Sequence, residues 1–466
     1  MEVFFERGTL ILRSDPEPGW LSELPGILWD PRVHEWRAPA CRWVDLRAAL
    51  EEKGVRPIVR SRTIVSDRPD DPRTPGPTST GAATSLRPYQ EASLVAWEVA
   101  ERRGVVVLPT GSGKTRVGVA AIRRVGGRAL VLVPTRVLLE QWLTRLAEAG
   151  VHDPGCYGDG RRELRKVTVS TYASAWRHME RIGDRFDLLV VDEAHHFGNG
   201  LHDEALEMAM APARLGLTAT PGEGAGLEGM RRLIGKVVYE LGISDLTGSY
   251  LAPFDLLTIT LELIDDERRL YEQRMSAFRL VHRAFVRQCP EGSWVDFVKA
   301  VSRSEEGRGA LRALSAARGM LSWPAAKQRV LASLLQRHRA ERSLVFTTDN
   351  DTAYAIAREH LVMPITCDIP RKEREEVLSR FRDGSLRCLV SSRVLNEGVD
   401  VPDAGIAIVV GGAHGKREHV QRVGRVLRPM PGKRATVYEL VVAGTSEVRK
   451  AERRGEGLAA RSAAAV

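Results

Sequence analysis

The residues best suited to chemistry begin with a glycine-rich segment at positions 109–115, directly after an apolar run. Glycines let the backbone curl around phosphate oxygens, and a helix that starts after them points its amides at the anion. In this pattern Lys114 reaches the β and γ phosphates and Thr115 ligates Mg²⁺. The predicted phosphate-binding residues are Thr110, Gly111, Ser112, Gly113, Lys114 and Thr115. The segment predicts a site for a nucleoside triphosphate with its magnesium ion.

A pair of acids, Asp192 and Glu193, directly follows a second apolar run at residues 187–191. If that run is a parallel strand, both carboxylates lie at its carboxyl end, where such sheets bind ligands. Asp192 would hold Mg²⁺ through its water shell, while Glu193 would orient and polarise the attacking water. No ligand spacing around His195 supports zinc, so a role in coupling two lobes is the better interpretation.

Near the carboxyl terminus, Arg422, Arg425 and Arg428 follow one another at intervals of three. This spacing brings their guanidinium groups close to one face of a helix, so that several can converge on one anion. We expect Arg422 and Arg425 to stabilise charge on the γ phosphate during its transfer. Arg428 is better explained as a support or a nucleic-acid contact. Taken alone, the segment would be an ordinary basic surface helix.

The elements that must position these residues are short apolar runs separated by helical patterns. Runs that are apolar on both faces are typical of central strands in a parallel sheet. The first set covers residues 104–108, 129–133, 167–170 and 187–191. The second set covers residues 343–346, 388–391, 406–410 and 436–440. Two doubly wound parallel-sheet lobes in tandem are the simplest account of this α/β pattern.

The remaining segments complete a predicted domain order. Short β patterns around Trp20, Trp29, Trp36 and Trp43 precede an amphipathic helix from Val44 to Lys53, which indicates a small amino-terminal α+β domain. The predicted order is a domain at 1–60, a linker at 61–85, a first lobe at 86–250, a helical insert or bridge at 251–327, a second lobe at 328–448 and a basic, disordered tail at 449–466.

Composition restricts the class of protein. The 466 residues, 43% of them hydrophobic, can fill several cores. A formal net charge of +9 favours a polyanionic partner, although a basic surface alone would explain it equally well. Five cysteines without a C-x-x-C pair argue against a disulfide framework. Because no long apolar run or leader pattern occurs, we expect a cytoplasmic protein with no membrane partner.

Taken in order, the motifs resemble those of a superfamily two DExH helicase, and most specifically the XPB family. The motifs are Leu86-Arg87-Pro88-Tyr89-Gln90, the phosphate loop, Val133-Pro134-Thr135-Arg136, Ser170-Thr171-Tyr172, Asp192-Glu193-Ala194-His195, Leu217-Thr218-Ala219-Thr220-Pro221, Phe346-Thr347-Thr348, residues 391–400 and the arginine helix. The opening Phe5-Glu6-Arg7-Gly8-Thr9 resembles the start of that family's DNA damage-recognition domain.

The resemblance implies two RecA-like lobes that use ATP and Mg²⁺ and move 3′ to 5′ on single-stranded or forked DNA. It also implies a role in nucleotide excision repair, often beside a nuclease partner. It adds Arg87, Gln90, which reads adenine in the family, and Asp400 to the predicted nucleotide-binding residues. It adds Thr218, Thr220 and Gln421 to His195 as residues that couple hydrolysis to lobe motion.

Two segments depart from the family pattern. The family carries an Arg-Glu-Asp element, associated with strand separation, shortly after Thr-Ala-Thr, whereas this chain has Gly222-Glu223-Gly224-Ala225-Gly226. The resemblance thus implies ATP hydrolysis without implying strong unwinding. The insert takes the position of the family's thumb, but its sequence does not establish a thumb fold.

Nucleic-acid phosphates are expected to meet backbone amides and hydroxyls near the strand ends of both lobes, with little base specificity. The predicted contacts are Thr135, Arg136, Ser170, Thr171, Thr347, Thr348, Ser391 and Ser392. Alternatives to a repair helicase stay open at this point. The same motifs suit the motor subunit of a restriction or phage-defence system, or a nucleotide-switched DNA clamp with little unwinding. RNA also stays open as the substrate.

Overall fold

The computed structural model describes residues 1–60, 85–392, 404–411 and 434–456. The chain divides into two compact units, Met1–Gly242 and Ile243–Val466. Residues 61–84 of the predicted linker and the last ten residues of the predicted tail lie outside the described residues. None of the described helices combines the length and apolar character that a bilayer crossing needs.

The amino-terminal domain is a five-stranded sheet with one α-helix, as the sequence predicts. Its elements are β1 Glu2–Glu6, β2 Thr9–Arg13, β3 Leu28–Asp30, β4 Glu35–Pro39, α1 Trp43–Glu52 and β5 Ile58–Arg60. The strand order is β3-β4-β2-β1-β5, with β1, β2, β4 and β3 joined antiparallel. Leu46 and Leu50 on α1 are fully buried in the domain core, which confirms the amphipathic helix.

This domain packs on the lobe that follows it in the same unit. Met210 belongs to the amino-terminal core cluster although it lies 160 residues after Leu50, the next nearest buried member of that cluster in the sequence. Gly8, at φ +79°, lies so close to the Met208 side chain that a Cβ atom would overlap it. The contact is apolar and close, so the domain and the lobe share part of one core.

The first lobe is an eight-stranded sheet of order β13-β6-β12-β11-β7-β10-β8-β9, parallel except where β9 joins β8. The strands are β6 Arg103–Val107, β7 Ala129–Val133, β8 Gly155–Gly158, β9 Arg161–Arg162, β10 Val167–Thr171, β11 Leu188–Asp192, β12 Ala213–Thr218 and β13 Val237–Glu240. The helices are α2 Pro88–Val99, α3 Lys114–Val125, α4 Arg136–Glu148, α5 Tyr172–Ile182, α6 Asp203–Glu207 and α7 Gly224–Leu233. The four predicted strands are β6, β7, β10 and β11.

The second unit contains a six-stranded parallel sheet of order β14-β19-β18-β15-β17-β16. The strands are β14 Phe254–Leu261, β15 Ser343–Phe346, β16 Met363–Ile365, β17 Cys388–Ser391, β18 Ile406–Val409 and β19 Ala435–Val442. The helices are α8 Ile243–Leu246, α9 Asp265–Gln288, α10 Trp294–Val301, α11 Glu305–Ser322, α12 Ala325–Arg337, α13 Asn350–His360, α14 Arg371–Asp383 and α15 Ser446–Glu456. The α/β fold with two parallel-sheet lobes is confirmed.

Two boundaries in this unit differ from the prediction. The sequence places residues 251–327 in the helical insert, whereas residues 254–261 form β14, which pairs along its whole length with β19. The helical part of the insert starts at α9. The sequence also predicts a disordered tail from residue 449, whereas α15 continues to Glu456.

A buried ion pair explains the order of α15. The ammonium of Lys327, which is fully buried, lies 3.0 Å from both carboxylate oxygens of Glu447 and donates to the Leu321 carbonyl at 2.7 Å. Glu447 also accepts from the Val442 amide at 2.9 Å. These bonds hold the first turn of α15 to the base of the helical insert, which the composition of the tail does not reveal.

Candidate active site

The glycine-rich loop joins β6 to α3 at the carboxyl edge of the first sheet. Gly111 and Gly113 both have a φ of +86°, which residues with a side chain rarely adopt. Gly113 is the N-cap of α3, and a Cβ atom there would lie 2.6 Å from the Gln90 amide nitrogen. Lys114 is the first residue of α3, and its ammonium donates to the Leu108 carbonyl at 3.2 Å. The loop has the backbone shape that a phosphate group requires.

Residues at the start of α2 hold this loop in place through hydrogen bonds. Ser112 is fully buried, and its carbonyl accepts from the Tyr89 hydroxyl at 2.5 Å and from the Gln90 amide at 2.8 Å. The side-chain Oε1 atom of Gln90 accepts from the backbone amide of Arg87 at 3.0 Å, and the Arg87 guanidinium donates to the Tyr89 hydroxyl. Gln90 is 1% exposed. The predicted adenine-reading residue thus supports the phosphate loop directly.

Asp192 is the last residue of β11 and is almost completely buried. Its Oδ2 accepts from the indole of Trp142 on α4 at 2.8 Å, and its Oδ1 accepts from the Glu193 amide at 3.1 Å. Burial and the Glu193 charge raise the pKa of Asp192 to about 6, while Trp142 and the Lys114 ammonium oppose the rise. The Lys114 effect shows that the fold brings the glycine loop and the acidic pair together.

Glu193 adopts an unusual backbone conformation, with φ +54° and ψ +48°. A residue other than glycine holds the left-handed region only where its surroundings enforce it. Among the described residues no hydrogen bond reaches its buried Oε2 atom, which lies 3.5 Å from His195 Nδ1. A buried carboxylate oxygen with an unused acceptor site is suited to bind and orient a water molecule.

The donor set fits a magnesium ion. Asp192 is a carboxylate and Thr115, on the first turn of α3, is a hydroxyl. Mg²⁺ is usually bound by one or two such oxygen ligands together with substrate phosphates and water. Both residues border the loop shaped for those phosphates, so the chain supplies what the ion needs.

Three of the predicted coupling residues form one hydrogen-bonded chain. His195 Nδ1 lies 3.0 Å from Thr218 Oγ1, and Thr218 Oγ1 donates to the Thr220 carbonyl at 2.8 Å. His195 is 2% exposed, and Thr218, the last residue of β12, is fully buried. The acidic loop is therefore tied to the end of the neighbouring strand.

Gly198, in the loop after the acidic pair, and Gly229, on α7, let these two segments pack closely. Gly198, at φ +92°, lies so close to the backbone of Gly226 on α7 that a Cβ atom there would overlap its carbonyl oxygen. A Cβ atom at Gly229 would lie 2.5 Å from the Gly198 Cα. The loop after the acidic pair thus meets α7 backbone to backbone, which only glycines permit.

The eight predicted nucleic-acid residues fall into two groups. Thr135 and Thr348 are partly exposed, and Arg136 is exposed and paired with Asp159 at 2.7 Å. The other five are buried, namely Ser170, Thr171, Thr347, Ser391 and Ser392. Their hydroxyls bond within the protein, as where Ser170 donates to the Tyr157 carbonyl at 2.6 Å and Thr171 caps α5. Their side chains support the strand ends, so backbone amides would have to meet any phosphate there.

Four predicted residues, Asp400, Gln421, Arg422 and Arg425, lie outside the described residues, as does Arg428. Conversely, sequence reasoning missed Trp142 and Tyr172. Trp142 lies 50 residues before its partner Asp192, and Tyr172 lies 20 residues before. Neither contact has a spacing rule. The only signals were that Tyr172 ends the Ser170-Thr171-Tyr172 motif and that Trp142 lies on the helix after the Val133-Pro134-Thr135-Arg136 motif.

Three family models match the chain. The "Xeroderma pigmentosum group B helicase damage recognition domain" matches residues 3–57. "Type III restriction enzyme, res subunit" matches residues 83–223, and "Helicase conserved C-terminal domain" matches residues 326–430. Together they cover the amino-terminal domain and parts of both lobes.

Individual proteins agree with these models. The chain is 35% identical over 436 residues to the DNA 3′-5′ translocase XPB2 of Sulfurisphaera tokodaii, which covers 93% of this chain and 96% of that protein. It is 31% identical to the DNA 3′-5′ helicase XPB of Kineococcus radiotolerans over 74% of this chain, but it spans only 57% of that protein's length.

A solved structure supports the fold. The Hef helicase domain of Pyrococcus furiosus superposes with a TM-score of 0.53 at 18% identity, covering 79% of this chain and 97% of that chain. At that identity the likeness concerns the fold alone. The predicted membership is confirmed by the close relative that shares nearly its whole length with the chain, and by the amino-terminal domain model. This chain is a member of the XPB family of helicases.

Proposed function

We propose that this chain is an ATP-driven translocase that moves 3′ to 5′ on DNA and opens or remodels it in nucleotide excision repair. The observation that carries the proposal is the buried Oε2 atom of Glu193, which no hydrogen bond reaches within the described part of the chain and which lies with Asp192 at the edge that also carries the phosphate loop. Motors of this family need the acidic pair to hydrolyse ATP, and here Asp192 and Glu193 have positions suited to binding magnesium and water.

Hydrolysis follows from the positions of four groups. The amides of the glycine loop and the Lys114 ammonium hold the β and γ phosphates in place. Mg²⁺, held by Thr115 and Asp192 when bound, supplies positive charge against the phosphate oxygens. Glu193 Oε2 accepts a hydrogen bond from water and directs its oxygen at the γ phosphorus. The water oxygen bonds to the γ phosphorus while the bond from that phosphorus to the β–γ bridging oxygen breaks; the water's proton leaves by way of the Glu193 carboxylate, and ADP and phosphate are released.

The second lobe would contribute the arginines. Arg422 and Arg425 stabilise the charge that develops on the γ phosphoryl group, an effect of large magnitude in related phosphoryl transfers. ATP binding closes the lobes and release of product reopens them. The hydrogen bonds from His195 to Thr218 and from Thr218 to Thr220 couple movements of the acidic loop to the rest of the first lobe.

DNA would bind along the strand ends by its phosphates. The exposed Arg136 and the partly exposed Thr135 and Thr348 offer side chains, and the amides at the start of α4 and α5 offer donors. Such contacts position a strand without reading its bases. Single-stranded or forked DNA is the substrate we propose, with a nuclease as a partner that acts on the opened strand.

A second candidate is a nucleotide-switched clamp that moves DNA little or not at all. The observation that favours it is the segment Gly222-Glu223-Gly224-Ala225-Gly226, which stands where the family carries an Arg-Glu-Asp element and whose Gly226 backbone packs against Gly198. A restriction motor shares the same first-lobe family model but leaves the amino-terminal domain match unexplained.

The test is steady-state ATPase activity with single-stranded DNA, duplex DNA, forked DNA and RNA, with Glu193→Gln as the blank. Stimulation by single-stranded or forked DNA that vanishes in the blank supports the DNA motor. Stimulation by RNA alone would replace DNA as the substrate. ATP binding without turnover on any polymer would favour the clamp. A strand-displacement assay on the forked DNA then separates translocation from unwinding.

A further inference from the structure

The hydroxyl of Tyr172 links two motifs that lie on different strands. Tyr172 is the first residue of α5, directly after Thr171, which caps that helix by accepting from the Ser174 amide at 3.3 Å. Its hydroxyl donates to the Asp192 carbonyl and lies 3.2 Å from the Glu193 carbonyl. The side chain therefore reaches from the end of β10 to the end of β11.

This reach crosses an intervening strand. The sheet order places β7 between β10 and β11, and adjacent strands lie about 4.8 Å apart. The Tyr172 ring is 4% exposed and is held edge-on by Phe197 at 4.6 Å and by His196 at 6.0 Å. A ring confined in this way has little freedom to turn, so a displacement of its backbone must move its hydroxyl.

The two carbonyls that Tyr172 meets belong to the peptide groups on either side of the Glu193 Cα atom. Their directions define the left-handed conformation of Glu193, with φ +54° and ψ +48°. That conformation in turn sets the direction of the carboxylate. The His196 amide also donates to the Glu193 carbonyl, at 3.1 Å. Tyr172 therefore acts on both peptide groups at once.

We propose that Tyr172 is a positioning residue that makes the orientation of Glu193 depend on polynucleotide bound at the start of α5. The inference rests on the proposed function, because it needs a strand to bind at the carboxyl ends of β7 and β10. A strand that engages the amides beside Thr171 fixes the first turn of α5, and the Tyr172 hydroxyl then fixes the Glu193 backbone. Stimulation of hydrolysis by DNA follows from this ordering.

The variant Tyr172→Phe removes the hydroxyl and keeps the packed ring. Its matched control is Tyr157→Phe on β8, which removes the hydroxyl of another buried tyrosine in the same sheet, three strands from β11. For each protein we would measure the ATPase rate with and without a single-stranded oligonucleotide, and the oligonucleotide Kd by fluorescence anisotropy. Urea unfolding checks that all three proteins are folded.

The ratio of stimulated to unstimulated turnover is expected to fall by about three- to tenfold in Tyr172→Phe, the effect of one buried hydrogen bond. We expect the ratio in Tyr157→Phe, and the oligonucleotide Kd of both variants, to match wild type. An equal fall of both rates would show a merely structural role and overturn the inference. So would a weaker Kd large enough to explain the loss.

Hydrogen exchange gives a second readout that does not need turnover. In the wild type, oligonucleotide should slow exchange of the amides at 194–197, and in Tyr172→Phe this protection should be lost. Equal protection in both proteins would overturn the inference even if the variant were poorly active. Absence of any stimulation in the wild type would instead refute the proposed DNA motor, and the coupling with it.

Discussion

Replacing Trp142 by phenylalanine tests how the buried Asp192 carboxylate is held ready for magnesium. The indole donates to Asp192 Oδ2 at 2.8 Å, and the two residues are 1% and 5% exposed. A hydrogen bond to a charged group contributes about 1.5–3 kcal/mol, and phenylalanine keeps an aromatic ring while removing the donor. The ionised form of Asp192 should lose stabilisation of this size.

The direction of the pH effect follows from the raised pKa. The carboxyl of Asp192 already has a pKa of about 6, and the Trp142 bond opposes that rise. Loss of the bond should raise the pKa by a further one to two pH units or so, since one unit corresponds to about 1.36 kcal/mol. Magnesium needs the ionised carboxylate. The ionised fraction near neutral pH, and with it the apparent Mg²⁺ affinity, should fall by about two- to tenfold.

The assay is ATPase activity titrated with Mg²⁺ at saturating ATP, from acid to mildly alkaline pH. Trp97→Phe is the matched control, because Trp97 is also fully buried and its indole donates to the Arg214 carbonyl at 2.9 Å. Both variants lose ring volume and hence stability. Only Trp142→Phe should shift the acidic limb of the pH–activity profile to higher pH, and its ATPase activity should recover at alkaline pH. An acidic limb that coincides in both variants and the wild type would refute the reasoning.

Three further predictions concern single side chains. Lys114→Ala is expected to abolish ATP turnover with an unchanged urea midpoint, and retained turnover would contradict the phosphate-loop assignment. Arg214→Leu is expected to lower the free energy of unfolding by about 3–5 kcal/mol in urea, because the buried guanidinium donates to three backbone carbonyls that leucine leaves unpaired; a loss near zero would refute this. Lys327→Met should cost about 3–5 kcal/mol by leaving Glu447 buried without its cation, and adding Glu447→Gln should restore part of that loss. If the second substitution made the protein less stable still, the pair would not be the cause.

Much of the fold could be predicted because central parallel strands are apolar on both faces. The run at residues 129–133 became β7 and the run at 343–346 became β15 without a change of boundary. The phosphate loop and the acidic pair were equally accessible, since their chemistry is local in sequence. Asp192 needs only the strand before it, and Lys114 only the loop before it, to be placed at the same edge.

The contacts that sequence could not supply join residues far apart in the chain. Trp142 and Tyr172 meet the acidic pair only because the sheet order places β7, which leads into α4, next to β11, and β10, which leads into α5, one strand further away. From sequence, the hydroxyls of Ser170 and Thr171 were expected to be available for phosphate. They are buried because β8 pairs with their strand, and β8 had no recognisable strand pattern. Periodicity reports which face of an element is apolar, but it carries no information about which polar group lies opposite.

The pairing of β14 with β19 has a consequence for how this polypeptide is made and divided. All eight residues of β14 pair with β19, yet 173 residues separate Leu261 from Ala435 along the chain. During synthesis, β14 leaves the ribosome long before β19. Until β19 is made, the backbone groups of β14 are unpaired and exposed to other chains. A recombinant fragment begun at residue 328, where the helical pattern alone would suggest a cut, would leave β19 as a bare edge and should aggregate. One begun before Phe254 would keep that edge covered.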